Sequence, residues 1–172
     1  DDIYVTGNLG DSFVGLNILQ NKIKTNKKLK TYFVKKYFEP EIQINLTKEL
    51  IKFANSSIDI SDGLIDDLQK MINRQKLSYN IWEEKIPISK NLHIYLNKND
   101  LKKSNFISNG DDYQILFTAS PDKSRIIKNT SKKLGIKISK IGKISSNKNK
   151  SFLINQKGEY LLVKNSGYKH QF

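Results

Sequence analysis

The stretch that decides the fold is Ser57-Ile58-Asp59-Ile60-Ser61-Asp62-Gly63-Leu64-Ile65-Asp66-Asp67-Leu68. Residues 58–60 form a short apolar run suited to a buried strand, and Ser61-Asp62-Gly63 is a turn. Leu64, Leu68, Met71 and Ile72 then recur at the spacing of one helix face. Alternation along the strand puts Asp59 and Ser61 on the same face, while Asp62 falls on the turn just before the helix. Two carboxylates and a hydroxyl thus stand at a strand end, where helix-covered sheets commonly bind ligands. Closely spaced oxygen donors suit magnesium, which keeps several waters and joins one or two carboxylates to substrate phosphates. The start of the helix offers backbone N–H groups to a phosphate. Asp59, between Ile58 and Ile60, reads as a buried carboxylate, and such a group needs a partner. A purely structural reading of the same residues stays open: Asp62 caps the helix, and Asp66 and Asp67 complement its dipole.

Downstream, Ser108-Asn109-Gly110-Asp111-Asp112-Tyr113-Gln114-Ile115-Leu116-Phe117-Thr118 sets adjacent carboxylates after a tight turn, leading into a strand over 113–118. Either these acids hold a metal or ligand at a sheet edge, or they are ordinary turn residues. Upstream, Thr6-Gly7-Asn8-Leu9-Gly10-Asp11-Ser12 joins a strand over 3–6 to a helix from 11 to about 20, with Asp11 as its cap. Neither glycine-rich phosphate-loop pattern is present there, so it reads as a structural turn. Asn26 caps a helix that carries Leu29, Tyr32, Phe33 and Tyr37 on one face and is ended by Pro40. Thr47 caps a further helix over 49–55. Strands follow over 77–82 and 136–144, with helices over 89–96 and from Pro121 to Leu134, the last stopped by Gly135. Residues 152–154 and 160–163 form a hairpin. Helices and strands alternate loosely, which predicts an α+β fold, a mixed β-sheet layered with α-helices.

At 172 residues the chain is one domain's worth, with enough length to bury a core unaided. Without cysteine there are no disulfides, thiolate metal sites or thiol nucleophiles. No Gly-x-Ser-x-Gly elbow supports a serine hydrolase. No apolar run spans a bilayer and no leader opens the chain, so a reduced, cytoplasmic setting without membrane is the expectation. The net charge of +13 raises the alternative of a basic nucleic-acid-binding module. Yet the chain holds 28 Lys against two Arg, beside 23 Ile and 18 Asn. All three abundant residues have A/T-rich codons, and arginine, the residue of bidentate base and phosphate recognition, is nearly absent. Nucleic acid is therefore not the expected partner. Asp1 already reads as the start of a strand, as in a piece cut from something longer.

Taken in order, these segments resemble the C-terminal half of the thiamine-monophosphate kinase family, in the ATP-binding superfamily of aminoimidazole ribonucleotide synthetase. Asp2-Ile3-Tyr4-Val5-Thr6-Gly7 with Gly10-Asp11-Ser12 resembles the domain opening, and Ile58-Asp59-Ile60-Ser61-Asp62-Gly63-Leu64 with Asp67-Leu68 the most specific motif. Gly110-Asp111-Asp112-Tyr113 is similar to the family's Gly-Glu-Asp-Tyr, and Gly167-Tyr168 with His170 to its terminal segment. The resemblance implies transfer of the γ-phosphoryl group of ATP to thiamine monophosphate, with Mg2+ as cofactor. By position, Asp59 and Asp62 would be magnesium ligands, Ser61 an ATP contact, Asp111 a substrate contact and Tyr168 a residue packed on the substrate. It also implies that residues 1–172 are a single C-terminal domain, inactive alone. The missing N-terminal domain would carry most metal-binding aspartates and the interface of a homodimer. Several residues depart from the pattern: Asn109 for Gly, Asp111 and Gln114 for Glu, Gln171 for an aromatic, and Glu41-Ile42-Gln43 without the family's Pro-Arg. A different phosphorylated substrate, used by another kinase or synthetase of the superfamily, is the nearest alternative.

Overall fold

The computed structural model describes residues 1–73, 77–145 and 150–162. The chain opens with β1 (Asp2–Thr6), α1 (Asp11–Leu19), α2 (Lys27–Phe38) and α3 (Ile44–Leu50). It continues through β2 (Ser56–Asp59), α4 (Leu64–Asn73), β3 (Ser78–Trp82), α5 (Lys90–Lys98) and the single turn α6 (Ser104–Ile107). Then come β4 (Ile115–Ala119), α7 (Ser124–Leu134), β5 (Ile138–Ser145), β6 (Phe152–Ile154) and β7 (Tyr160–Leu162). The strands form one sheet in the order β2-β4-β1-β5-β3-β6-β7. All pairings are antiparallel except β3 with β6, so the sheet is mixed, as the alternation of elements predicts.

All five residues of β1 are buried, as a central strand covered on both faces requires. The period of two then sorts them. Ile3 and Val5 join Leu64, Leu68 and Ile72 of α4 on one face, whereas Tyr4 stacks on Phe117 beside Leu46 of α3 and Ile127 of α7 on the other. A third cluster, with Val14, Phe33, Leu92 and Phe106, joins α1, α2, α5 and α6.

Local signals hold at several ends. Asn26 caps α2 by accepting from the Leu29 N–H at 3.0 Å, Ser89 caps α5 through Leu92 at 3.0 Å, and Gly135 stops α7 with φ 67°. Others are corrected. Thr47 lies inside α3, its hydroxyl donating back to the Ile44 carbonyl at 2.7 Å, so that helix starts and ends earlier than 49–55. Tyr113 has φ 51°, which is incompatible with a strand, so β4 begins at Ile115. Asp11 is not the cap of α1: its carboxylate accepts from Tyr32 Oη at 2.8 Å and Ser89 Oγ at 2.7 Å.

One consequence of the pairing positions the site. β2 and β1 flank β4, both antiparallel to it, with Asp59 opposite Ile115 and Val5 opposite Leu116. The ends of β1 and β2 and the start of β4 therefore lie at one edge of the sheet. The three motifs singled out in the sequence are the loops that leave and enter there.

Candidate active site

The turn after β2 is zipped to the loop before β4 by main-chain bonds. Ile60 N–H donates to the Gln114 carbonyl at 2.8 Å, Tyr113 N–H to the Ile60 carbonyl at 2.9 Å, and Asp111 N–H to the Ser61 carbonyl at 3.0 Å. The approach is so close that a Cβ on Gly110 would overlap the Ser61 carbonyl, and one on Gly63 the Ser108 carbonyl. Gly63 also has φ 123°, open to glycine and strained for other residues. Two non-glycine residues of the second loop, Asp111 at φ 67° and Tyr113 at φ 51°, are held in the left-handed region. Such strain persists only where the surroundings over-determine it. The left-handed region admits Asp more readily than a longer side chain.

The turn takes its shape from Asp67, in the first turns of α4. Its buried Oδ2 accepts from three successive N–H groups, Ser61 at 2.9 Å, Asp62 at 2.9 Å and Gly63 at 3.1 Å. Its Oδ1 accepts from Lys70 Nζ at 2.8 Å, and the same ammonium pairs with the Asp62 carboxylate. Both carboxylates hold the Lys70 proton, pushing that group well above the usual lysine range. One expectation is corrected here. Asp62 does not cap α4, because its carboxylate turns to Lys70. The N–H groups of residues 61–63, ahead of the helix, are taken by the Asp67 carboxylate.

Asp59 is also corrected. Among the described residues β2 is an edge strand paired with β4 alone, and its alternation turns Asp59 outward to solvent rather than into the core. Its carboxylate makes no ion pair or hydrogen bond within the described residues. Asp62 and Asp111 are partly exposed. Burial raises the Asp111 carboxyl and the Asp62 charge raises it further. The Tyr113 hydroxyl is raised by burial and then by Asp111, Asp59, Tyr37 and Asp62. The structure thus brings Asp59, Ser61, Asp62 and Asp111 to one acidic rim. Tyr168, with Gly167 and His170, lies outside the described residues.

Asp112, one residue on, points inward and is the true cap of α1. It accepts from Gly10 N–H at 2.7 Å and from Ser12 N–H at 3.4 Å. Burial pushes its carboxyl up to about 7, against these hydrogen bonds and with the Asp11 charge. Gln114, also buried, accepts from Thr6 Oγ1 at 2.8 Å and donates to the Glu41 carbonyl at 3.0 Å. Gln43 Nε2 lies 3.3 Å from Gln114 Oε1. The departures at 114 and at 41–43 therefore meet: neutral amides satisfy one another where the resemblance expects an acid and an arginine. Asp67, Lys70 and Asp112 carry no site signal in the sequence: the i, i+3 spacing of Asp67 and Lys70 reads as a helix pair, whereas Asp67 holds backbone that precedes the helix.

The rim supplies the hard oxygen donors magnesium prefers. Among the described residues, no group of three or more acidic or histidine side chains is placed to hold a metal by itself. The fit is that of a shared site, one or two carboxylates with phosphates and water completing the shell. Among the described residues no helix is long and apolar enough to cross a membrane.

No protein-family model matches the chain. Thiamine-monophosphate kinase of Buchnera aphidicola subsp. Schizaphis graminum is 38% identical over 172 residues, 99% of this chain and 52% of that protein. Among solved structures, AaThiL complexed with AMPPCP and TMP matches with a TM-score of 0.80 at 28% identity, over 99% of this chain and 51% of that one. Escherichia coli HypE, at 14% identity and a TM-score of 0.73 over 98% of this chain and 50% of that one, shares the fold. The chain spans about half the length of the relatives it matches. In sequence and in fold, this chain matches the C-terminal part of thiamine-monophosphate kinases along nearly its whole length.

Proposed function

We propose that the chain is the C-terminal domain of a two-domain kinase that transfers the terminal phosphoryl group of ATP to the phosphate of thiamine monophosphate, giving thiamine diphosphate and ADP. The observation that carries this reading is the zipping of the 60–63 turn to the 108–114 loop, which gathers Asp59, Ser61, Asp62 and Asp111 on one rim. The names of the relatives, and a structural neighbour complexed with AMPPCP, an ATP analogue, and TMP, support the substrate class.

In this reading Asp59 and Asp62 hold Mg2+, Ser61 meets ATP through its hydroxyl, Asp111 faces the thiamine substrate, and Tyr168 packs on it. Bound magnesium would neutralise phosphate charge. Asp67 keeps the turn rigid, so Ser61 and Asp62 are presented without reorganisation. Gly110 lets the Asp111 loop close onto that turn. Phosphoryl transfer needs positioning and charge stabilisation more than covalent help from protein, so no residue here serves as a nucleophile. The remaining ligands and the homodimer interface belong to an N-terminal domain outside this sequence. The 172-residue chain is then inactive alone, and its setting is cytoplasmic.

The test measures thiamine diphosphate formed from ATP, Mg2+ and thiamine monophosphate. A parent protein of the relatives' full length is compared with its Asp62→Asn variant and with the 172-residue chain. Turnover by the parent, lowered at least ~100-fold in Asp62→Asn and absent from the short chain, is expected. Turnover by the short chain at the parent's rate overturns the division of labour. Turnover of only another phosphorylated acceptor assigns a different superfamily kinase. Salt-sensitive nucleic-acid binding that is indifferent to Asp62→Asn, without turnover, assigns the basic binding module.

A further inference from the structure

Around the acidic rim, one carboxylate already has a cation and two do not. Lys70 pairs with Asp62, whereas Asp59 and Asp111 make no ion pair within the described residues. The pairing is asymmetric. The Asp67 side chain, 1% exposed, is locked between Lys70 and the three N–H groups of the turn. Asp62, at 27%, and Lys70, at 50%, open to solvent. One end of the bridge is therefore fixed in the protein and the other is exchangeable.

We propose that Lys70 is a positioning residue, a built-in counter-cation of Asp62 that a divalent cation must displace, and that it thereby sets the cation affinity of the site. The inference rests on Asp62 being a metal ligand. Lys70 holds the Asp62 carboxylate in place before a cation arrives, and it lowers affinity because two positive charges compete for one carboxylate. When Asp62 turns to the incoming cation, Asp67 keeps the ammonium tethered beside the rim. One of its N–H donors then remains on Asp67 and the one that held Asp62 is released. The rim keeps a positive charge in both states, where an anionic phosphate would meet it.

The experiment titrates a parent protein of the relatives' full length with Mn2+ and reads free Mn2+ by electron paramagnetic resonance. It compares wild type, Lys70→Met, Lys70→Arg, Asp62→Asn and the Asp62→Asn/Lys70→Met double variant. Lys70→Met keeps the stem and removes the charge, so it binds Mn2+ about fivefold tighter, the scale of one half-exposed ion pair. Lys70→Arg restores the wild-type affinity. Asp62→Asn weakens binding and abolishes the gain from Lys70→Met. Unchanged or weaker binding by Lys70→Met, with Asp62→Asn still weakening the wild type, overturns the role of Lys70 and leaves the metal reading standing. Binding indifferent to Asp62→Asn in both backgrounds overturns the metal reading and this inference with it. A second measurement avoids any loss of folding in Lys70→Met. Added Mg2+ shifts the Lys70 13Cε resonance of the wild type toward its position in Asp62→Asn, and a resonance that stays in place overturns the displacement.

Discussion

Asp67→Asn tests the claim that one buried carboxylate shapes the turn carrying Ser61 and Asp62. In the native chain its Oδ2 accepts three backbone N–H groups at 2.9, 2.9 and 3.1 Å, and its Oδ1 accepts from Lys70. A hydrogen bond to a charged group contributes about 1.5–3 kcal/mol, and one to a neutral group about 0.5–1.5 kcal/mol. The amide oxygen of Asn can still face the three donors, so each bond weakens by about 1 kcal/mol and none is lost. The amide nitrogen then faces the Lys70 ammonium, donor against donor. The expected loss is about 3 kcal/mol, a fall in Tm of about 6–12 °C for a domain of this size. Asp66→Asn is the control. It removes the same charge from the same helix start, where the dipole contributes about 0.3–1 kcal/mol. Urea unfolding followed by circular dichroism gives the stabilities. Amide hydrogen exchange at Ser61, Asp62 and Gly63 reports the turn directly, and exchange there should accelerate in Asp67→Asn alone. Equal losses below about 1 kcal/mol in the two variants would refute the reasoning, because Asp67 would then act only through the helix dipole.

The buried Asp112 carboxyl, pushed up to about 7 from an ordinary 3.8, binds its proton more tightly in the folded than in the unfolded chain. Its contribution therefore weakens as pH rises from about 4 to about 7 and is level above that, with a slope of up to about 1.4 kcal/mol per pH unit. Asp112→Asn mimics the protonated acid, so the stability of wild type minus variant should fall by a few kcal/mol between pH 5 and pH 8; a flat difference in urea midpoints contradicts the assignment. Gly110→Ala drives a Cβ into the Ser61 carbonyl and should cost about 2 kcal/mol or more, with exchange rising at Ile60 and Tyr113 as the two loops part. Loss of less than about 0.5 kcal/mol, the scale of an ordinary surface change, would mean the loops are not held by that contact.

Local chemistry was legible in the residues because it depends on neighbours in sequence. The caps at Asn26 and Ser89, the stop at Gly135 and the hairpin closing with β6 and β7 all follow from short-range rules. The acids at 59, 62 and 111 stood out because carboxylates at strand ends and turns are a chemical signal wherever the strand sits. What those rules could not supply was direction. Asp59 has apolar neighbours on both sides, yet it faces solvent because β2 took an edge place in the sheet. Asp111 and Asp112 are adjacent and look alike, yet one stands on the rim and the other is buried under α1, 100 residues away from the Ser12 it caps. Thr47, Asp11 and Asp62 each have the side chain of a cap, and each bonds elsewhere: Thr47 to Ile44, Asp11 to Tyr32 and Ser89, Asp62 to Lys70. By itself the sequence indicated most of the elements, the mixed sheet and the motifs shared with thiamine-monophosphate kinases. The tertiary structure alone decided that the 60–63 turn and the 108–114 loop form one rim, that Asp67 holds the turn ahead of α4, and that Lys70 lies between Asp62 and Asp67. Strand order and loop contact bring together groups that are far apart in the chain, and the burial they create decides which carboxylates stay charged and open to a ligand.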